Sequence, residues 1–237
     1  AGECLERIDL RRHRGIHPRI GALDVAPIIA REPADMELAR EAAAALADRI
    51  GAELGLPVFR YAAVAAHPER VRPRDFRGTG IDSLAEKIDS GQIVPDAGPP
   101  RLHPSAGGVL VGARPPLIAW NIELEEGGLD EARAIAARVR ESGGGLPGVM
   151  ALGLWLASRG TAQVSTNIEN HLRTPPSLVV ETVRAEAERL GARAGASELV
   201  GLIPREGLAG VAPSALGLAG FRPGLVLDAA LRGAGRP

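Results

Sequence analysis

The sequence predicts an α+β fold in two subdomains, and three observations carry the prediction. Across the second half, from Leu117 to Pro204, short apolar runs and amphipathic stretches follow the order β-α-β-β-α-β. Across the first half, strand-like and helix-like segments alternate from Arg19 to Ala65. Between them lies a passage rich in proline and glycine, after which a junction is expected near Arg114 to Pro116. With 237 residues, 45% of them hydrophobic, the chain can build one large core or two compact ones.

Taken in order, AGECLERIDLRR reads as the last turns of an amphipathic helix, so the first subdomain is expected to be truncated at its N-terminus. RIGALDVAPIIA (Arg19 to Ala30) is a short apolar strand leading to a helix start at Pro33, Ala34 and Asp35. The helix is predicted over Asp35 to Leu54, because Met36, Ala39, Ala43, Leu46 and Ile50 recur at helical steps and Gly55 offers a stop. LPVFRYAAVA (Leu56 to Ala65) is a buried strand. His67 to Gly80 shows no period and four arginines, which predicts an exposed loop. A short helix near Ile81 to Ser90 precedes Pro95 to Gly108, too rich in proline and glycine for regular structure.

The second half gives strands at Leu117 to Leu124, Gly148 to Ala157, Ala162 to Asn170 and Ser197 to Pro204, with helices at Leu129 to Glu141 and Pro175 to Leu190. Thr174 is the expected N-cap of the latter helix, with Leu178, Val179, Val183 and Leu190 as its apolar stripe and Gly191 as its stop. This order is the ferredoxin-like arrangement, one antiparallel sheet with both helices on one face. The predicted domains are therefore 1–114 and 115–237, two ferredoxin-like (βαββαβ) subdomains.

Composition narrows the function classes. A net charge of -1, from 28 basic and 29 acidic residues, supplies no field for nucleic acid or an anionic membrane. The six aromatic side chains do not suggest a base-stacking sheet. No apolar run approaches the roughly 18 residues that span a bilayer, and the first residues lack a secretory pattern, so a cytoplasmic protein is expected. The single cysteine, Cys4, excludes an internal disulfide and fits a reducing compartment. His67, His103 and His171 lack ligand spacing, and no metal site is expected.

The sharpest local feature is HRGIHPRIGALD, residues 13–24. It gathers two histidines, two arginines and an aspartate before a strand. Pro18 biases His17 away from helix, and Gly15 and Gly21 permit close backbone approach, so an imidazole can be presented on a stiff turn. Histidine suits proton transfer near neutral pH. The same residues also suit a plain surface role, His13 and Arg14 favouring the negative end of a helix. Spacing leaves both readings open. Asn121, Thr166 and Asn167 are polar positions in apolar strands, equally suited to facing a ligand or to satisfying a neighbouring backbone group. Trp120 and Trp155 read as core.

HRGIHPRIGALDV, followed by PDAGPP, HPSAGG, VGARPPLIAWNIEL, AQVSTNIEN and ELVGLIP, resembles the formiminotransferase part of the glutamate formimidoyltransferases, the family that includes formimidoyltransferase-cyclodeaminase. The similarity is collinear over most of the chain. It implies two ferredoxin-like subdomains with folate bound between them, a homodimer, and a place in one-carbon metabolism and histidine degradation. It implies His17 as catalytic acid/base, with Arg19, Gly21 and Asp24 in support. The implied folate loop is Gly98 to Gly107, matching at Gly98, Pro99, Pro104, Ser105 and Gly107. Pro100, Arg101, Leu102, His103 and Ala106 depart from the animal pattern, notably by loss of an aromatic at Ala106. The implied reaction moves a formimino group from N-formiminoglutamate to N5 of tetrahydrofolate, without metal. Alternatives are formyl transfer from N-formylglutamate and a non-catalytic folate-binding or dimer module.

Overall fold

The structure, a computed structural model, describes residues 1–13, 15, 17–78, 80–208 and 210–234. The chain divides into two compact units, Ala1–Pro115 and Pro116–Pro237.

In the first unit, α1 (Gly2–Arg7) buries no residue. It is followed by β1 (Asp24–Ile29), α2 (Met36–Leu54), β2 (Val58–Ala62), α3 (Pro73–Arg77), α4 (Ile81–Asp89) and β3 (Val109–Arg114). The sheet order is β1-β3-β2, with both pairings parallel. Parallel strands need crossovers, and here the crossovers cover both sides. On one face the small residues Ala39, Ala43 and Ala47 and the larger Ile50 bring α2 down onto Val58, Val109, Val111 and Ala113. On the other, Phe59, Tyr61 and Leu110 pack with Phe76 of α3, Leu84 and Ile88 of α4, and Ile20. Burial on both faces explains why VLVGA of β3 is almost uninterrupted in apolar character. Pro27 has no N–H to donate, and it sits on β1, an edge of this sheet, where that loss costs least.

In the second unit, β4 (Ile118–Glu126), α5 (Leu129–Val139), β5 (Val149–Leu156), β6 (Thr161–Ile168), α6 (Pro176–Arg189) and β7 (Arg193–Val200) form an antiparallel sheet of order β5-β6-β4-β7. Short 3-10 turns and α7 (Leu227–Gly233) follow. Ala132, Ile135, Ala136 and Val139 of α5 and Val179, Val180, Val183 and Ala187 of α6 share one core with Ile118, Trp120, Ile122 and Leu124 of β4. Both helices thus lie on one sheet face, and period-2 alternation puts Ala119, Asn121 and Glu123 on the other. This is the ferredoxin-like order, and the two-subdomain α+β fold stands as expected. The first unit differs in detail, its described strands forming a three-stranded parallel sheet.

Several local expectations are corrected. β3, the central strand of the first sheet, carries no pattern of its own in the sequence, because six residues containing Gly112 follow directly on a proline- and glycine-rich loop. The passage 67–80 contains α3, whose Phe76 is 1% exposed and anchors it. Pro175, not Thr174, occupies the N-cap of α6. The Thr174 hydroxyl instead donates to the Pro147 carbonyl at 2.7 Å, and Leu178 lies outside the buried stripe. Trp120 is fully buried, but Trp155 is 42% exposed. Arg14 and Ile16 lie outside the described residues.

Candidate functional site

The segment between α1 and β1 owes its shape to its own polar groups and to the loop before β3. His17 is exposed. The Arg19 guanidinium reaches back along the chain, donating from Nη2 to the His13 carbonyl at 3.0 Å and from Nη1 to the carbonyls of Gly15 at 3.2 Å and His17 at 3.4 Å. One rigid, always charged fork with several donors holds three acceptors that side chains rarely organise. Arg19 therefore shapes the backbone that carries His17.

Asp24 closes the other end of the turn. Its Oδ1 accepts from the Ile20 N–H at 2.7 Å, and its Oδ2 accepts from Arg77 Nη2 of α3 at 2.5 Å. The backbone of Asp24 has φ of 56°, a left-handed conformation that aspartate tolerates better than most side chains. Arg77 and Asp24 are both about three-quarters buried, so this is a partly desolvated, charge-assisted bond. Arg77 was grouped in the sequence with other loop arginines, and only its partner distinguishes it.

The loop before β3 is tied to this segment through backbone. His103 and Gly107 exchange both N–H···O=C bonds at 2.9 Å, closing a tight turn over Pro104, Ser105 and Ala106. Gly107 has φ of 68°, in the left-handed region that glycine enters without steric cost. Leu10 N–H then donates to Ser105 C=O at 2.8 Å, Ala22 N–H to Ala106 C=O at 2.9 Å, and Gly108 N–H to Ile20 C=O at 2.9 Å. The stretch 10–22, which displays His17, is clamped at both ends by residues 105–108. The approach is close: a Cβ on Gly21 would lie 1.7 Å from the Gly108 oxygen, and one on Gly107 would lie 2.1 Å from the Ile20 oxygen. Both glycines are therefore dictated by backbone contact.

The structure thus brings His17, Arg19, Asp24, Ser105 and Gly107 into one assembly, with Pro104 at the exposed turn. Gly98 has a local task, since a Cβ there would lie 2.1 Å from the Leu56 oxygen and 3.2 Å from Gly51 of α2. Pro99, beside it, is half-buried. Below the turn, the Tyr61 ring covers Gly112 of β3. Burial raises the Tyr61 pKa, while the Arg114 and Arg77 guanidiniums pull it the other way.

Asn121, Thr166 and Asn167 belong to the second unit and divide between its sheet faces. The Thr166 hydroxyl points to the helix-covered side and donates to Trp120 C=O at 2.5 Å, so it satisfies backbone. Asn121 and Asn167 share the opposite face, where Asn167 stands across from Ala119. Asn121 Nδ2 donates to Glu198 Oε2 at 3.3 Å. Glu198 and Glu123 both pair with Arg159 of the β5–β6 turn. Gln163, opposite Glu123, is 3% exposed with its Nε2 unpartnered among the described residues. Sequence alternation could have flagged this polar face, since Asn121, Glu123, Gln163 and Ser165 all occupy one side.

Comparison with known proteins connects these features. Residues 1–114 match the family model described as the formiminotransferase domain, N-terminal subdomain, and residues 119–214 match the formiminotransferase domain. A glutamate formimidoyltransferase of Streptococcus pyogenes serotype M1 is 38% identical over 207 residues, covering 87% of this chain and 69% of the relative. One from Thermoplasma acidophilum is 38% identical over 228 residues, covering 94% of this chain and 74% of the relative. The formimidoyltransferase-cyclodeaminase of Rattus norvegicus is 38% identical over 207 residues, which is 85% of this chain but 38% of that longer protein. Two matched subdomains in order, over the two compact units and with this much identity, place the chain in the formiminotransferase family of transferase enzymes.

Proposed function

We propose that this protein transfers a formimino group from N-formiminoglutamate to N5 of tetrahydrofolate and releases glutamate, with His17 as the general acid/base. The observation that carries the reading is the presentation of His17 on a segment clamped at both ends, in a chain similar to glutamate formimidoyltransferases along most of its length. A proton-transfer group has to be held still relative to two substrates, and hydrogen bonds at both ends of its segment serve this. In the reaction, N5 attacks the formimino carbon to give a tetrahedral adduct. The imidazole takes the N5 proton and delivers a proton to the departing glutamate nitrogen as the C–N bond breaks. The histidine ends as it began, and the chemistry calls for no redox cofactor.

In this reading residues 1–114 and 115–237 act as the two subdomains of the transferase. Gly98, Pro99, Pro104, Ser105 and Gly107 shape the folate loop, Arg19 and Asp24 hold the His17 segment, and Asn121 and Asn167 offer amides to substrate. Thr166 supports the strand that carries Asn167. We place the protein in the cytoplasm as a homodimer using tetrahydrofolate as co-substrate.

The test is His17→Ala assayed with N-formiminoglutamate and tetrahydrofolate. Turnover should fall about 10²- to 10⁴-fold while folate binding, followed by fluorescence or calorimetry, persists. An unchanged turnover overturns the assignment. Running N-formylglutamate beside the formimino donor distinguishes the two carbon units, and preference for the formyl donor overturns the choice of substrate.

A further inference from the structure

His103 lies outside the family pattern that singled out its neighbours, yet its side chain organises them. Its Nδ1 accepts from the Ala106 N–H at 3.1 Å and the Ser105 N–H at 3.3 Å, with the Ser105 hydroxyl 3.4 Å away. The ring is half-buried. A nitrogen that accepts from two amides carries its lone pair there, so the neutral ring holds its proton on Nε2. These two amides lie inside the turn, where no strand partner satisfies them. The peptide plane joining Ser105 to Ala106 is consequently gripped from both sides. Its N–H donates to His103, and its C=O accepts from Leu10 at 2.8 Å, the anchor upstream of His17. The next carbonyl, that of Ala106, accepts from Ala22, the anchor downstream.

We propose that His103 is a positioning residue for the transfer reaction: by capping the 103–107 turn through Nδ1 it fixes the two carbonyls that clamp the His17 segment. The inference rests on the proposed role of His17. It requires an acceptor at the Nδ1 position and is indifferent to Nε2. Asparagine places its Oδ1 where Nδ1 stands, whereas glutamine and alanine leave that position empty.

The experiment compares His103→Asn, His103→Gln and His103→Ala in the full chain, measuring kcat, KM and thermal midpoint. His103→Asn should keep kcat within about threefold of the parent, while the Gln and Ala variants lose on the order of tenfold or more in kcat with little change in KM, as expected when a reacting group is misplaced. Backbone amide exchange at Ser105 and Ala106 should be slow in the parent and the Asn variant and faster in the other two. In the same spectra the His17 ring resonances should shift in the Gln and Ala variants only. Equal kcat in all four proteins, or an Asn variant as impaired as Ala, overturns the proposal. A parent without transfer activity defeats the assignment of the reaction instead. The exchange and ring measurements then still decide whether His103 controls the turn.

Discussion

Replacing Gly21 by alanine tests the clamp directly, because the two segments meet there with no room for a side chain. The added Cβ would stand 1.7 Å from the Gly108 oxygen, 2.9 Å from the Gly108 carbonyl carbon and 3.2 Å from the Ala106 oxygen. All three are backbone atoms, so no flexible side chain can turn aside. The strands of contact must separate, and the bonds from Gly108 N–H to Ile20 and from Ala22 N–H to Ala106, both 2.9 Å, must break or stretch. Two backbone hydrogen bonds at about 1 kcal/mol each, with overpacking of about 1–3 kcal/mol, give a loss on the order of 3–5 kcal/mol. With a urea dependence of about 1–3 kcal/mol/M, the unfolding midpoint should fall by roughly 1–5 M, read by far-ultraviolet circular dichroism. Gly2→Ala is the control, since a Cβ there meets nothing within 4 Å. If Gly21→Ala unfolds at the parent's midpoint and retains the parent's turnover, the close approach does not organise the site.

Two further outcomes follow from side-chain geometry. Asp24→Asn keeps an acceptor for the Ile20 N–H but discharges the pair with Arg77, whereas Asp24→Ala loses both. The alanine variant should therefore be less stable than the asparagine variant by about 1 kcal/mol in urea unfolding, and equal stabilities would refute the turn-closing role. Tyr61 is the only tyrosine, so the ultraviolet phenolate signal reports it alone. Burial raises its folded pKa above the ordinary value of 10.0, the protonated form being favoured by folding. Its contribution to stability is full below the unfolded pKa and is lost as pH climbs from there through the folded pKa. Titration in the native protein should lie above 10.0 and in urea near it, and the reverse order would contradict the buried placement.

Much of the scaffold was legible because helices and antiparallel strands write their burial into residue spacing. The steps of Ala39, Ala43 and Ile50 announced α2, and the apolar run Leu117 to Leu124 announced β4, whose Ile118, Trp120, Ile122 and Leu124 the structure buries on one face. The central strand β3 was less legible, since a strand buried on both faces has no alternation to read and Gly112 interrupts it to admit the Tyr61 ring. Thr174 misled as a cap because a hydroxyl beside a helix start can equally serve a distant carbonyl, here that of Pro147.

The sequence by itself determined the apolar faces, the turn residues and the presence of a histidine, an arginine and an aspartate around one stiff proline turn. Only the tertiary structure decided what those residues do to one another. Arg77 was one arginine among several until it met Asp24, and His103 was only a departure from the family's loop pattern until its Nδ1 met two amides. Leu10 and Ala22 are joined to Ser105 and Ala106 across more than eighty residues by backbone groups that every residue type carries. Side-chain identity can encode a local spacing, but a hydrogen bond between two main chains leaves a trace only where a side chain is forbidden, as at Gly21 and Gly107.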